Sequence, residues 1–78
     1  MAAVADETLD CMGMVCPEPL LETFKRLRRM EVGKTLEVFG DFPLSKEEIP
    51  AGMKEAGQDV VSISEKGNVW HIIIRKTK

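Results

Sequence analysis

Strand-like and helix-like segments alternate along this chain, and their order restricts the possible folds more than any other feature. Residues 7–11 form a short strand-like segment that ends near a turn at Gly13. Residues 17–31 carry apolar side chains at helical spacing, namely Leu20, Leu21, Phe24, Leu27 and Met30. Residues 34–40 alternate between apolar and polar side chains, as a half-buried strand does. The first half therefore predicts strand, helix and strand.

The next segment predicts a second, shorter helix. The sequence "SKEE" resembles a capping box with Ser45 as the cap, but Pro50 would break the hydrogen-bond ladder of a helix that began there. We therefore predict a turn over residues 45–49 and a short helix over residues 50–56. Gly57 is a suitable residue to end that helix.

The last segment predicts a pair of strands, and with it the fold class. Residues 59–64 and 69–76 flank the loop "EKGN", which is typical of an antiparallel hairpin. The order βαβαββ favours an α/β two-layer sandwich, with two helices on one face of a mixed four-stranded sheet. A chain of 78 residues has room for one domain, residues 1–78. We expect residues 1–6 to be flexible.

Composition argues against several classes of protein. A formal net charge of −2 gives no indication of direct nucleic-acid binding. No apolar run approaches the ~20 residues that span a bilayer, so no membrane is expected. The start "MAAVADETLD" lacks the basic and apolar regions of a signal peptide, which favours the cytoplasm. Two cysteines and a single histidine are too few for a structural metal site.

The sequence "CPEP" places Cys16 at the mouth of the predicted first helix. If that helix begins at Pro17, the sulfur of Cys16 faces free backbone N–H groups and the positive end of the helix dipole. Both favour the thiolate, whereas the carboxylate of Glu18 opposes it. The prolines, Pro17 and Pro19, would hold the turn rigid. Cys16 is therefore a candidate nucleophile, and a small buried structural cysteine is the alternative.

Cys11, the other cysteine, has two interpretations. It is either a resolving thiol for Cys16 or a spare thiol in the first strand. We favour the second, because an extended "CMGMVC" would hold the two sulfurs beyond bridging distance. The pair also lacks the C-x-x-C spacing of thioredoxin-like motifs. Asp10 is a candidate to cap the turn near Cys16 through a structural hydrogen bond.

The stretch "LDCMGMVCPEPLLETFKRLRRMEVGKTLEV" resembles the TusA/SirA-like family of small sulfur-carrier proteins. The similarity continues through "DFP" and "EEIP" to "IIIRK", so it spans nearly the whole chain. The elements of the family signature are a strand ending in Leu-Asp, a turn glycine and Cys-Pro-x-Pro opening the first helix, here Leu9, Asp10, Gly13, Cys16, Pro17 and Pro19. The resemblance implies one βαβαββ domain in which Cys16 bears the sulfur and the neighbouring motif residues position it.

The resemblance also implies a function. Cys16 would receive sulfane sulfur as a persulfide from a cysteine desulfurase or a rhodanese and pass it to an acceptor protein. No cofactor is implied beyond the covalent sulfur. We expect a monomeric carrier rather than a stand-alone enzyme. The alternatives are a non-catalytic interaction or regulatory module with a structural cysteine, and a thiol–disulfide protein that uses Cys11 and Cys16.

Overall fold

A computed structural model describes residues 5–15 and 17–78 of the chain. The secondary-structure elements, in chain order, are β1 (Glu7–Cys11), α1 (Glu18–Arg28), β2 (Thr35–Gly40), α2 (Ser45–Glu55), β3 (Asp59–Lys66) and β4 (Val69–Arg75). The strands form one sheet in the order β1-β2-β4-β3. Strand β1 is parallel to β2, whereas β4 is antiparallel to both of its neighbours. The predicted α/β fold, with two helices and a mixed four-stranded sheet, is confirmed.

The core lies between the helices and one face of the sheet. Strand β2 buries Leu36 and Val38, and β4 buries Trp70, Ile72 and Ile74, because alternate residues of a strand point to the same face. The helices contribute Leu27, Ile49 and Met53. This packing of two layers on a single core explains why strand-like and helix-like apolar spacing alternate in the sequence.

The opposite face of the sheet is only partly exposed. On it, the His71 ring stacks on Phe39, with 5.8 Å between the ring centroids. His71 Nδ1 also lies 2.9 Å from a carboxylate oxygen of Glu37. These contacts give His71 a structural role on the face that the helices do not cover.

Helix α1 is shorter than predicted. It begins at Glu18, with Pro17 as its N-cap, and it ends at Arg28 rather than at residue 31. Lys76 closes its C-terminal end, because Nζ donates to the backbone oxygens of Leu27 and Met30 at 2.6 and 2.7 Å. These bonds place a positive charge on the backbone carbonyl groups at the C-terminal end of the helix, where the helix dipole favours a cation.

One position in the predicted apolar stripe of α1 was wrong. Leu21 is 53% exposed, whereas the polar Thr23 on the same helix is fully buried. Thr23 tolerates burial because its hydroxyl donates to the backbone oxygen of Pro19 at 2.7 Å. The spacing of apolar residues alone does not identify a buried threonine whose hydroxyl donates to the backbone of its own helix.

The prediction for the second helix was also wrong, because residues 45–49 are helical and α2 continues through Pro50. A proline inside a helix costs about 3 kcal/mol. Here Pro50 is buried together with Ile49 and Met53, and this packing offsets the missing hydrogen bond. Ser45 is the first helical residue rather than the cap. Its Oγ is buried and finds no hydrogen-bond partner in the part of the chain that the structure describes.

The end of α2 agrees with the prediction. Gly57 has a φ of +85°, a conformation that favours glycine. Its N–H donates to the backbone oxygen of Lys54, and the N–H of Gln58 donates to that of Met53. This bonding pattern is the Schellman motif, which turns the chain sharply into β3.

The hairpin between β3 and β4 is tighter than predicted. Lys66 pairs with Val69, so the loop contains two residues, Gly67 and Asn68, rather than four. Gly67 has a φ of +62°, as the first central residue of a type II′ turn does. The register of β3 shifts between Val60 and Ser62, which marks a β-bulge.

The start of the chain is described only in part. Residues 1–4 of the segment that we expect to be flexible lie outside the described residues. Asp6 is held by Thr35, because its N–H donates to Thr35 Oγ1 at 3.0 Å and its carboxylate accepts from the Thr35 N–H at 2.9 Å. The Thr35 hydroxyl also donates to this carboxylate, and the two bonds that the carboxylate accepts lower the pKa of Asp6. Over residues 5–15 and 17–78, no helix is long and apolar enough to cross a membrane.

Candidate functional site

A hydrogen-bonded turn follows β1 and leads toward α1. The N–H of Met14 donates to the backbone oxygen of Cys11 at 3.2 Å, which closes the turn. Gly13 occupies the third position with a φ of +80°, where a type II turn favours glycine. Asp10 accepts a hydrogen bond from the Met12 N–H at 2.9 Å. The structure thus brings Asp10 and Gly13 together in one turn, directly before the candidate nucleophile in the sequence.

Asp41 is a further residue of this site, and its role was not evident from the sequence. Its carboxylate accepts a hydrogen bond from the Gly13 N–H at 3.1 Å, which links the β1–α1 turn to the loop after β2. The parallel pairing of Cys11 with Gly40 brings the carboxyl ends of β1 and β2 to the same edge of the sheet. An acidic residue directly after a strand parallel to β1 was therefore the signal that could have identified Asp41.

The residues Pro17, Glu18 and Pro19 form the start of α1. Pro17 and Glu18 are exposed, whereas Pro19 is buried. The Glu18 N–H donates to the backbone oxygen of Val15 at 2.8 Å, and Pro19 has no N–H. Neither Glu18 nor Pro19 therefore has a free backbone N–H at this end of the helix. The helix dipole remains as the favourable effect on an anion at this end, and the Glu18 carboxylate opposes it.

Cys16 itself falls between the two described ranges. Its assignment as the nucleophile therefore stays a prediction. Both of its sequence neighbours are described and exposed, with Val15 at 55% and Pro17 as the N-cap of α1.

Large apolar side chains are exposed on the segments around this position. Met12 and Val15 flank the turn, Leu21 lies in the second turn of α1, and Leu44 precedes α2. Their exposed fractions are 43%, 55%, 53% and 59%, respectively. Exposed apolar residues at one end of a small domain often belong to a protein–protein contact. We refer to Met12, Val15, Leu21 and Leu44 as the apolar rim.

Cys11 lies in the core at the end of β1. It is fully buried and has a free thiol. Burial raises the pKa of this thiol to about 11, and the carboxylates of Glu22 and Asp10 add to the effect. Such a thiol stays protonated at neutral pH, so it is a poor nucleophile. The environment favours a packing role for Cys11 over the role of resolving thiol.

The raised pKa of Cys11 predicts a loss of stability at high pH. Its ordinary value of 9.0 applies to the unfolded chain, and its folded value is about 11, so its contribution is complete below pH 9 and declines as pH rises toward 11. Roughly 2–3 kcal/mol of unfolding free energy should be lost over this window. Urea unfolding at several pH values measures the loss, and Cys11→Ala should remove this part of it. Identical pH profiles for the two proteins would contradict the prediction.

Gly40, the last residue of β2, lies close to the Trp70 side chain and to the backbone of Cys11. A Cβ atom at this position would lie 2.7 Å from Cζ2 of Trp70 and 3.1 Å from the backbone oxygen of Cys11. The Trp70 indole cannot easily move away, because it is buried and its Nε1–H donates to the backbone oxygen of Phe42 at 2.8 Å. The indole thus supports the loop that contains Asp41.

Among residues 5–15 and 17–78, no three His, Cys, Asp or Glu side chains are grouped so that they could hold an ion.

Sequence similarity to known proteins extends over almost the whole chain. The family model described as sulfurtransferase TusA matches residues 7–76. A candidate sulfur carrier protein of Thermotoga maritima is 46% identical over 70 residues, covering 88% of this chain and 89% of its own. The sulfur carrier protein TusA of Allochromatium vinosum is 33% identical over 72 residues, covering 92% of this chain and 95% of its own.

A solved structure shows the same fold. The crystal structure of the SirA-like protein of Desulfitobacterium hafniense superposes with a TM-score of 0.81 at 26% sequence identity. The match covers 92% of this chain and 99% of that protein. Similarity in sequence and in fold therefore extends over the same nearly complete length.

Proposed function

Because the chain belongs to the TusA sulfurtransferase family, we propose that it is a sulfur carrier that takes up sulfane sulfur as a persulfide on Cys16 and delivers it to an acceptor protein. The family match and the names of the relatives support the carrier role. The observation that supports Cys16 in particular is the contrast between the two cysteine positions. The turn of Asp10 and Gly13 and the prolines of α1 frame position 16, whereas Cys11 is buried and protonated.

The proposed uptake step moves one sulfur atom without net oxidation. The thiolate of Cys16 attacks the outer sulfur of a persulfide on the donor protein. The sulfur–sulfur bond of the donor breaks, the donor cysteine leaves as a thiolate, and Cys16 carries the outer sulfur as a new persulfide. In the delivery step, a nucleophile of the acceptor attacks that outer sulfur, and Cys16 leaves as a thiolate. The cycle needs no cofactor.

A thiol that both accepts and releases sulfur works best with a pKa near the ambient pH. The dipole at the start of α1 lowers the pKa of a nearby thiol, and the carboxylate of Glu18 opposes that effect. The opposing effects suit a carrier, whose sulfur must be a nucleophile in one step and a leaving group in the next.

The proposed partners are a donor protein of the cysteine desulfurase or rhodanese type and a separate acceptor protein. The apolar rim supports such contacts, because its residues give the β1–α1 segment and the starts of the two helices exposed apolar area that a partner surface can cover. We propose that the carrier acts as a monomer during each transfer and works in the cytoplasm, where thiols are kept reduced.

The test is uptake of sulfur by the folded protein from a cysteine desulfurase supplied with cysteine. Trypsin leaves both cysteines in a single peptide that ends at Lys25, because no earlier lysine or arginine precedes it. Tandem mass spectrometry of that peptide should place one added sulfur atom on Cys16, and a reducing agent should remove it.

Two results would contradict the proposal. Sulfur found on Cys11 alone would show that position 16 is not the acceptor. No uptake, together with slow alkylation of Cys16 at neutral pH, would favour a structural cysteine in an interaction module.

A further inference from the structure

Strand β3 is a free edge of the sheet. It pairs with β4 on one side and with no other strand of residues 5–15 and 17–78 on the other. Nearly all of its residues are exposed, and two of them, Val61 and Ile63, are large apolar side chains that are each 46% exposed. It contains no proline. An exposed edge of this kind can pair with a further strand unless the protein prevents it.

The backbone groups that point away from the sheet can be assigned from the hairpin. Lys66 and Val69 close the two-residue loop, so they form a hydrogen-bonded pair. Hydrogen-bonded and non-hydrogen-bonded pairs alternate along an antiparallel ladder. Ser64 and Ser62 therefore bond to β4, whereas the N–H and C=O groups of Ile63 and Glu65 point to the free edge.

Two features protect only the ends of this strand. The bulge between Val60 and Ser62 bends the first part of the strand. Near the other end, Lys46 Nζ lies 2.6 Å from a carboxylate oxygen of Glu65. The stretch from Ser62 to Ser64 has regular register and lies between these two features.

We propose that two copies of this chain pair antiparallel along β3, with Ile63 opposite its counterpart in the second copy. Directly opposed residues of an antiparallel pair share a sheet face, so Ser62 of one copy then lies opposite Ser64 of the other. The outward backbone groups of the two Ile63 residues bond to each other, and their exposed side chains pack together. The two four-stranded sheets become one continuous sheet.

The charges at the ends of β3 support a second copy as the occupant. The strand begins with Asp59 and ends with Lys66, so antiparallel pairing brings the Asp59 of each copy near the Lys66 of the other. Both side chains lie on the sheet face that the helices leave uncovered, because they are paired with Arg75 and Val69. The proposed register thus opposes no like charges and places two pairs of opposite charges within one residue of each other along the strands.

The pairing is weak because it uses only a few residues of one strand. The monomer predominates at low protein concentration, and the paired form appears as concentration rises. This inference goes beyond the proposed sulfur relay and does not depend on it, since Cys16 takes no part in the contact.

Hydrogen exchange tests the register directly. The amides of Ile63 and Glu65 should exchange about tenfold more slowly at millimolar than at micromolar protein concentration, because pairing gives them a bonding partner. The amides of Ser62 and Ser64 already bond to β4 and should change less. The experiment is run with reductant, which removes dimers joined through Cys16. Equal exchange at Ile63 and Glu65 across this range would overturn the proposal.

Sedimentation of variants at several protein concentrations is the second test of the proposed dimer. Ile63→Lys should abolish the concentration-dependent dimer, because pairing would oppose two like charges. Val32→Lys is the matched control, since Val32 is an exposed apolar residue away from β3, and its dimer should persist. Glu65→Pro removes an outward N–H, together with the exposed ion pair to Lys46, and should also abolish pairing. This variant is the alternative if Ile63→Lys does not fold. The proposal would be overturned if the dimer persisted in both β3 variants. It would also be overturned if Val32→Lys abolished the dimer.

Discussion

Replacing Cys16 by serine is expected to abolish sulfur uptake while the fold is retained. A serine hydroxyl is not ionised at neutral pH and forms no persulfide, so uptake should fall by at least about a hundredfold. Mass spectrometry after incubation with a persulfide donor measures the loaded fraction, and circular dichroism checks that the variant is folded. Delivery to any acceptor should fall in parallel, because an unloaded carrier has no sulfur to pass on.

The matched control is Cys11→Ala. Cys11 is fully buried, so this substitution leaves a small cavity in the core and lowers stability modestly, but it leaves the site around position 16 in place. Sulfur uptake by this variant should stay close to that of the unaltered protein. If Cys11→Ala lost uptake while still folded, the two cysteines would have to act as a pair.

Gly40→Ala is expected to lower stability strongly for so small a change. The added Cβ would lie 2.7 Å from the Trp70 ring and 3.1 Å from a backbone oxygen, and neither group can move freely. Overpacking of this kind costs about 1–3 kcal/mol. Urea unfolding measures the loss. The hydrogen bond from Trp70 to Phe42 should weaken as the indole shifts, which would loosen the loop that contains Asp41.

Gly52→Ala is the matched control for this prediction. Its Cβ would lie 2.8 Å from a methyl group of Leu20, which is the end of a flexible and partly exposed side chain. Alanine also favours a helix over glycine by about 1 kcal/mol, so this variant should be neutral or more stable. If Gly40→Ala were equally harmless, Trp70 would have to be free to move.

The order of elements was predictable because each strand and helix has an apolar face that its periodicity reveals. The bounds of β1, and the division of β2 into a buried and a partly exposed face, follow from the alternation of apolar and polar side chains. The errors arose where tertiary packing outweighs local preference. Pro50 is tolerated inside α2 because it is buried, and Leu21 is exposed although its spacing fits the buried stripe. The pattern of residues along the sequence does not show which side chains pack together in the folded protein.

The candidate site was predictable only as far as its motif. Asp10, Gly13 and the two prolines were identified, and the structure describes all four in the turn and at the start of α1. The contribution of Asp41 depends on a hydrogen bond across 28 residues, so no local pattern indicates it. The steric requirement at Gly40 depends in the same way on Trp70, which is distant in sequence.

The sheet order has a consequence for how the protein reaches its folded state during synthesis. Strand β4 follows all the other elements along the chain, yet it lies between β2 and β3 in the sheet. Until β4 leaves the ribosome, β3 lacks the strand with which it pairs, and the core lacks Trp70, Ile72 and Ile74. The segment that contains Cys16 is therefore synthesised before the core residues of β4. During that interval the thiol belongs to a chain that is not yet folded.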